Sequence, residues 1–191
     1  MNRDGWIAVG VGVGAGAVVL WLARRPVGAV GAAHAPVHAA PLSGDALGSP
    51  IEGDALPRVT PHGFFGATRG GPPVHTHQGV DLQARPGSHV LAIGDGKILD
   101  AKPGLGLVVR KLELDKPVAW IAGARPVRWV VYADLGEVLT QPGDRVRRGD
   151  PIALVHPRGF VHFAVKDAVA LREQFFDPAD AGFPYRKPEV T

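Results

Sequence analysis

His77-Gln78-Gly79-Val80-Asp81 leads into an apolar run and sets an imidazole and a carboxylate four residues apart. A nitrogen donor and a carboxylate oxygen are two ligand types that zinc accepts. Alone the spacing has little weight, because a chain with eight histidines and many aspartates produces such a pattern by accident. A second histidine of note stands in the downstream stretch Phe160-Val161-His162-Phe163-Ala164-Val165, where a lone strand histidine is more often structural than a ligand. On a strand, Phe160, His162 and Ala164 face one way and Val161, Phe163 and Val165 the other, so His162 projects from an otherwise apolar face. The chain has no cysteine, which rules out disulfides and thiolate ligands, so a metal has to be held by histidine and carboxylate.

Around these two stretches the pattern is one of short β-type runs broken by Gly and Pro. Runs at 89–93, 97–101, 105–112, 127–133, 151–155 and 160–165 predict a mostly β, antiparallel domain. Pro86-Gly87, Asp95-Gly96, Pro103-Gly104 and Pro142-Gly143 fall between runs and supply the turns. Only 168–176 reads as helical. With 191 residues, one folded domain with appendages is expected.

The N-terminal part is of a different kind. From Trp6 to Ala23 the chain is uncharged, flanked by Arg3 and Asp4 before and Arg24 and Arg25 after, and is just long enough to cross a bilayer as one helix. Residues 1–25 are therefore expected to be an uncleaved, single-pass membrane anchor, preferred to a cleaved signal peptide for want of a sharp cleavage site. Residues 26–57, rich in Ala, Gly and Pro with few large apolar groups, are expected to be a disordered linker. His34 and His38 within it are four apart, but Pro36 between them opposes a helical metal pair. Residues 58–191 remain as the folded domain. A net charge of +3, with basic residues scattered in ones and twos, carries no nucleic-acid signature.

The whole line of motifs resembles the LytM-type zinc metallopeptidases of family M23. Phe65-Gly66-Ala67-Thr68-Arg69 followed by His77-Gln78-Gly79-Val80-Asp81 is similar to the family's opening, and Gly94-Asp95-Gly96-Lys97-Ile98 to its next hairpin. Gly104-Leu105-Gly106-Leu107-Val108-Val109 resembles its Gly-x-Gly-x-x-Val strand, and Val131-Tyr132-Ala133-Asp134-Leu135 stands where the family writes Tyr-x-His-Leu. The stretch 143–152 matches the turn before the last strands, His162-Phe163 the end of His-x-His-Phe, and Phe176-Asp177-Pro178 the closing Asp-Pro. The resemblance implies a LytM/M23-like fold of the duplicated hybrid motif type. It also implies a Zn2+ site made by His77, Asp81 and His162, with a fourth position open for water or substrate.

Two departures bear on activity. The family's two further catalytic histidines fall on Asp134 and Phe160. Phenylalanine neither takes a proton nor donates a hydrogen bond, so His156, in the shortened loop before 160–165, is the candidate substitute, with His75 second. Asp134 is a candidate general base toward metal-bound water, but a carboxylate cannot donate to a developing oxyanion. Tyr132, Trp120 and Phe160 are the expected lining of a substrate groove. The resemblance thus implies a membrane-anchored metalloendopeptidase acting on peptidoglycan peptides. The competing expectations are a catalytically degenerate LytM domain that binds wall or a partner hydrolase as a regulator, and a structural component of a phage or secretion machine. The domain is expected outside the cytoplasm or on a virion, although Arg24 and Arg25 after the anchor oppose that orientation.

Overall fold

The computed structural model of the protein describes residues 47–70, 74–99, 108–167 and 174–187. The strands are β1 (Thr68–Arg69), β2 (His75–Thr76), β3 (Val80–Gln83), β4 (His89–Leu91), β5 (Gly96–Leu99) and β6 (Arg110–Val118). They continue with β7 (Val127–Ala133), β8 (Leu135–Val138), β9 (Arg145–Val146), β10 (Pro151–Val155), β11 (Phe160–Asp167) and β12 (Phe175–Phe176). Among the described residues one 3-10 turn, Pro178–Ala181, is capped by Asp177, whose carboxylate accepts from the Ala179 amide. Among the described residues the fold is mostly antiparallel β, as expected.

The main sheet runs β12-β11-β7-β6-β5-β9, with β3 also paired to β11. β3 and β12 share one edge of β11: β3 pairs along Phe160 to Phe163, and β12 along Val165 and Lys166. A three-stranded sheet, β4-β10-β8, lies beside it in the fold, and β1-β2 form a small hairpin. Alternation along β11 sends Val161, Phe163 and Val165 into the core, where all three are fully buried with Leu82, Ile98, Leu112 and Ile152. Burial of this set is the main stabilising term, at about 1.5–3 kcal/mol for each large aliphatic or aromatic side chain.

The runs expected at 127–133 and 151–155 coincide with β7 and β10. The helix expected over 168–176 is not borne out at its described end: Phe175 and Phe176 form β12, held by pairing to Lys166 and Val165. An apolar pair beside an open strand edge is stabilised more by that ladder than by local helical propensity.

The expected linker also needs correction at its C-terminal end. Leu47 and Ile51 are buried in the core cluster. The Gly48 amide donates to the Ile93 carbonyl at 2.6 Å, the Leu91 amide to the Pro50 carbonyl at 2.9 Å, and Ile51 bridges Val90. Residues 47–57 therefore belong to the folded unit. The expected anchor over 6–23 and the linker over 26–46 lie outside the described residues, as does the pair His34 and His38. Among the described residues no helix is long and apolar enough to cross a membrane.

Candidate metal centre

The register of β3 against β11 builds the centre. His162 is the direct partner of Asp81, and Phe160 of Gln83, so four side chains from two strands emerge on one face. His77 sits just before β3, and its backbone is held by the turn at 64–67: its amide donates to Ala67 and its carbonyl accepts from Gly66, both at 2.9 Å. Two glycines make the approach possible. A Cβ on Gly79 would stand 2.7 Å from His162 Cε1 and 2.7 Å from the Phe163 carbonyl oxygen. One on Gly63 would stand 2.6 Å from Asp81 Cβ.

Three donor atoms meet there. His77 Nε2 is 2.9 Å from His162 Nδ1 and 3.2 Å from Asp81 Oδ1, and His162 Nδ1 is 3.1 Å from the same carboxylate oxygen. His77 and Asp81 are buried, each 6% exposed, whereas the His162 side chain is 20% exposed, so the triangle opens toward solvent on the His162 side. His77 Nδ1 lies 3.1 Å from the Phe64 carbonyl oxygen. A carbonyl only accepts, so Nδ1 carries the proton and Nε2 presents its lone pair, the tautomer that binds metal.

The donor set fits zinc. Tetrahedral zinc with bonds of about 2.0–2.2 Å separates its ligand atoms by roughly 3.3 Å, and the three separations here lie just inside that value. Two imidazole nitrogens and one carboxylate leave one position open, the arrangement of catalytic rather than closed structural sites. His77, Asp81 and His162 are the one such group among the described residues.

Burial by itself would raise the Asp81 carboxyl, but hydrogen bonds from His162 and Arg69 outweigh it and hold the group well below the usual carboxylate range. Arg69 pairs with Asp81 Oδ2, and its Nη2 donates to His77 Nε2 at 3.1 Å. Its part in the centre was not foreseen. It stands in the quoted Phe65–Arg69 stretch, but only the β1-β2 pairing, Arg69 opposite His75, folds it back over the donors.

The other expected site residues divide. Asp134 follows β7 in a left-handed conformation, φ 55°, and its carboxylate lies 3.6 Å from Arg158 Nη1; it is not among the donors that converge at the centre. His156 is not joined to the centre: its Nδ1 accepts from the Arg158 amide at 3.1 Å within the β10–β11 turn. Phe160 is half-buried and lines a cavity next to the triangle, together with Thr60 and Gln83.

Tyr132 is a correction. Tyr132 is fully buried, accepts from the Ile93 amide at 3.2 Å, and has its hydroxyl pushed above the usual phenol range by burial, so it is a core residue and not part of a groove. Trp120 packs edge-on to Phe163 and against Phe183, and its indole N–H donates to the Gly48 carbonyl at 3.0 Å. Its amphipathic ring is stabilised by the core and that bond.

Comparison with known proteins adds to this geometry. The sequence profile of Peptidase family M23 matches residues 75–172, just over half of the chain. No curated protein sequence matches. A zinc containing peptidase from Vibrio cholerae is similar in structure at 26% identity and TM-score 0.51, over 70% of this chain and 39% of that one. Helicobacter pylori Csd3 aligns at 22% identity and TM-score 0.51, over 73% of this chain and 34% of that one. A chain of the SpoIIQ-SpoIIIAH pore forming complex aligns at 17% identity and TM-score 0.53, over 73% of this chain and 90% of that one. The last two likenesses concern the fold alone. This chain spans well under half the length of the first two.

Proposed function

The chain belongs to peptidase family M23, and from that premise we propose that it is a zinc metalloendopeptidase cutting peptidoglycan peptides outside the cytoplasm, tethered to a membrane through residues 6–23. One observation carries the reading: three donors from two strands and a loop converge within 3.2 Å of one another, with His77 held in the metal-binding tautomer. His77, Asp81 and His162 would hold the ion. When bound, zinc supplies Lewis acidity and lowers the pKa of its water.

The chain's own groups do the rest. The Phe64 carbonyl and Arg69 orient His77 and Asp81 before any ligand arrives, so little reorganisation is required of the centre. Asp134 is the proton acceptor on this reading, with Arg158 Nη1 3.6 Å from its carboxylate.

A second reading is favoured by the same two positions. With Phe160 unable to donate a hydrogen bond and Asp134 turned to Arg158, the domain would bind a wall peptide or a partner hydrolase without cutting. Bound zinc by elemental analysis and peptide release from sacculi separate the two readings, with His162→Ala as control. Stoichiometric zinc with release lost in the variant supports the peptidase. Zinc without release supports the binding module, and absence of zinc sinks the ligand assignment.

A further inference from the structure

Beside the donor triangle is an open cavity of about 570 Å³ lined by Arg58, Arg85, Arg158 and Arg186, with Asp54 and Phe160 among the other walls. The four arginines are remote from one another in sequence and are gathered by backbone pairing. Arg58 bridges Arg186, the Gln83 amide donates to the Arg58 carbonyl at 2.7 Å, and the Ala84 amide donates to the Gly159 carbonyl at 3.0 Å. Gly159 accommodates this turn with φ 76°. Each arginine therefore stands on a fixed segment.

Four exposed arginines against one lining aspartate give the cavity an excess of positive charge. Among the described residues no acid pairs with Arg58, Arg85 or Arg186; Arg158 faces Asp134 at 3.6 Å, across the cavity's edge. Holding like charges together is unfavourable without a counter-charge, and arginine is the side chain suited to planar, bidentate recognition of a carboxylate. The cavity also shares a face with the metal centre. Phe160 and Gln83 lie one pleat repeat from His162 and Asp81, roughly 7 Å along the strands, which two residues of an extended peptide span.

We infer that this cavity is a carboxylate subsite selecting peptides with a free acid group near the bond presented to His77, Asp81 and His162. The inference rests on reading that centre as the place where a wall peptide is held. A carboxylate is preferred to a phosphate because Asp54 and the neutral walls Thr60, Gln83 and Phe160 suit a single charge on an organic chain.

The test measures binding to the full chain in the presence of a chelator, so that no bond is cut. The probes are acetyl-Ala-Glu-Ala-Ala-amide and its Gln counterpart, followed by fluorescence anisotropy of a labelled copy. The Glu peptide is expected to bind about tenfold more tightly. That preference should vanish in Arg58→Gln/Arg85→Gln, return in part in Arg58→Lys/Arg85→Lys, and persist in Lys97→Gln, a change at an exposed residue of β5. Equal binding of the two peptides by the unaltered protein, or a preference kept by the double Gln variant, overturns the inference. Inorganic phosphate competing more strongly than acetate overturns the carboxylate assignment. A preference without zinc or wall release upholds the subsite while removing the peptidase reading.

Discussion

His162 and Asp81 are directly opposed partners in the antiparallel β3–β11 pair, and Nδ1 of the first stands 3.1 Å from Oδ1 of the second. A slip of one residue in that register would turn one donor to the opposite face and dissolve the centre. The register is guarded by the apolar half of the same strands. Val161, Phe163 and Leu82 are fully buried and could not move to the outer face without exposing their side chains.

The closeness of Gly79 to His162 gives the first prediction. Gly79→Ala puts a methyl group 2.7 Å from His162 Cε1 and from the Phe163 carbonyl, so overpacking should cost about 1–3 kcal/mol in thermal or denaturant unfolding. Displacement of the imidazole should weaken zinc binding by at least about tenfold, read by competition with a chromogenic chelator. Unchanged affinity would show that His162 is not a ligand.

Asp134 and Phe160 give a gain-of-function test. A histidine is tolerated at the left-handed backbone of position 134 better than most residues. Asp134→His with Phe160→His restores donors on the outer face, and peptide release from sacculi should rise on the order of a hundredfold. No rise, with zinc still bound, would place the deficit elsewhere in the groove.

Tyr132 separates packing from recognition. Tyr132→Phe leaves the buried Ile93 amide without its acceptor, which should lower stability by about 1–3 kcal/mol. Zinc content and wall binding should be unchanged, whereas a groove residue would alter binding and leave the melting temperature alone.

Ile51 tests the N-terminal edge of the domain. It is 3% exposed and bridges Val90, so Ile51→Ala should cost about 2–5 kcal/mol, read from the denaturation midpoint. A loss within about 0.5 kcal/mol would return residues 47–57 to the tether.

The sequence by itself determined the β character of the chain, the extents of β7 and β10, and, through the family resemblance of its motifs, the three donor residues His77, Asp81 and His162. These are local properties: alternation has a period of two, turns need particular residues, and a motif is a short string. Tertiary structure decided what depended on distant segments meeting. The β1-β2 hairpin brings Arg69 onto Asp81, four separate segments assemble the arginines around Phe160, and the core captures Tyr132 and Ile51. An aromatic residue in a short β-type run reads the same whether it lines a groove or fills a core, because burial is a sum over contacts made by the whole fold and not by its neighbours in sequence.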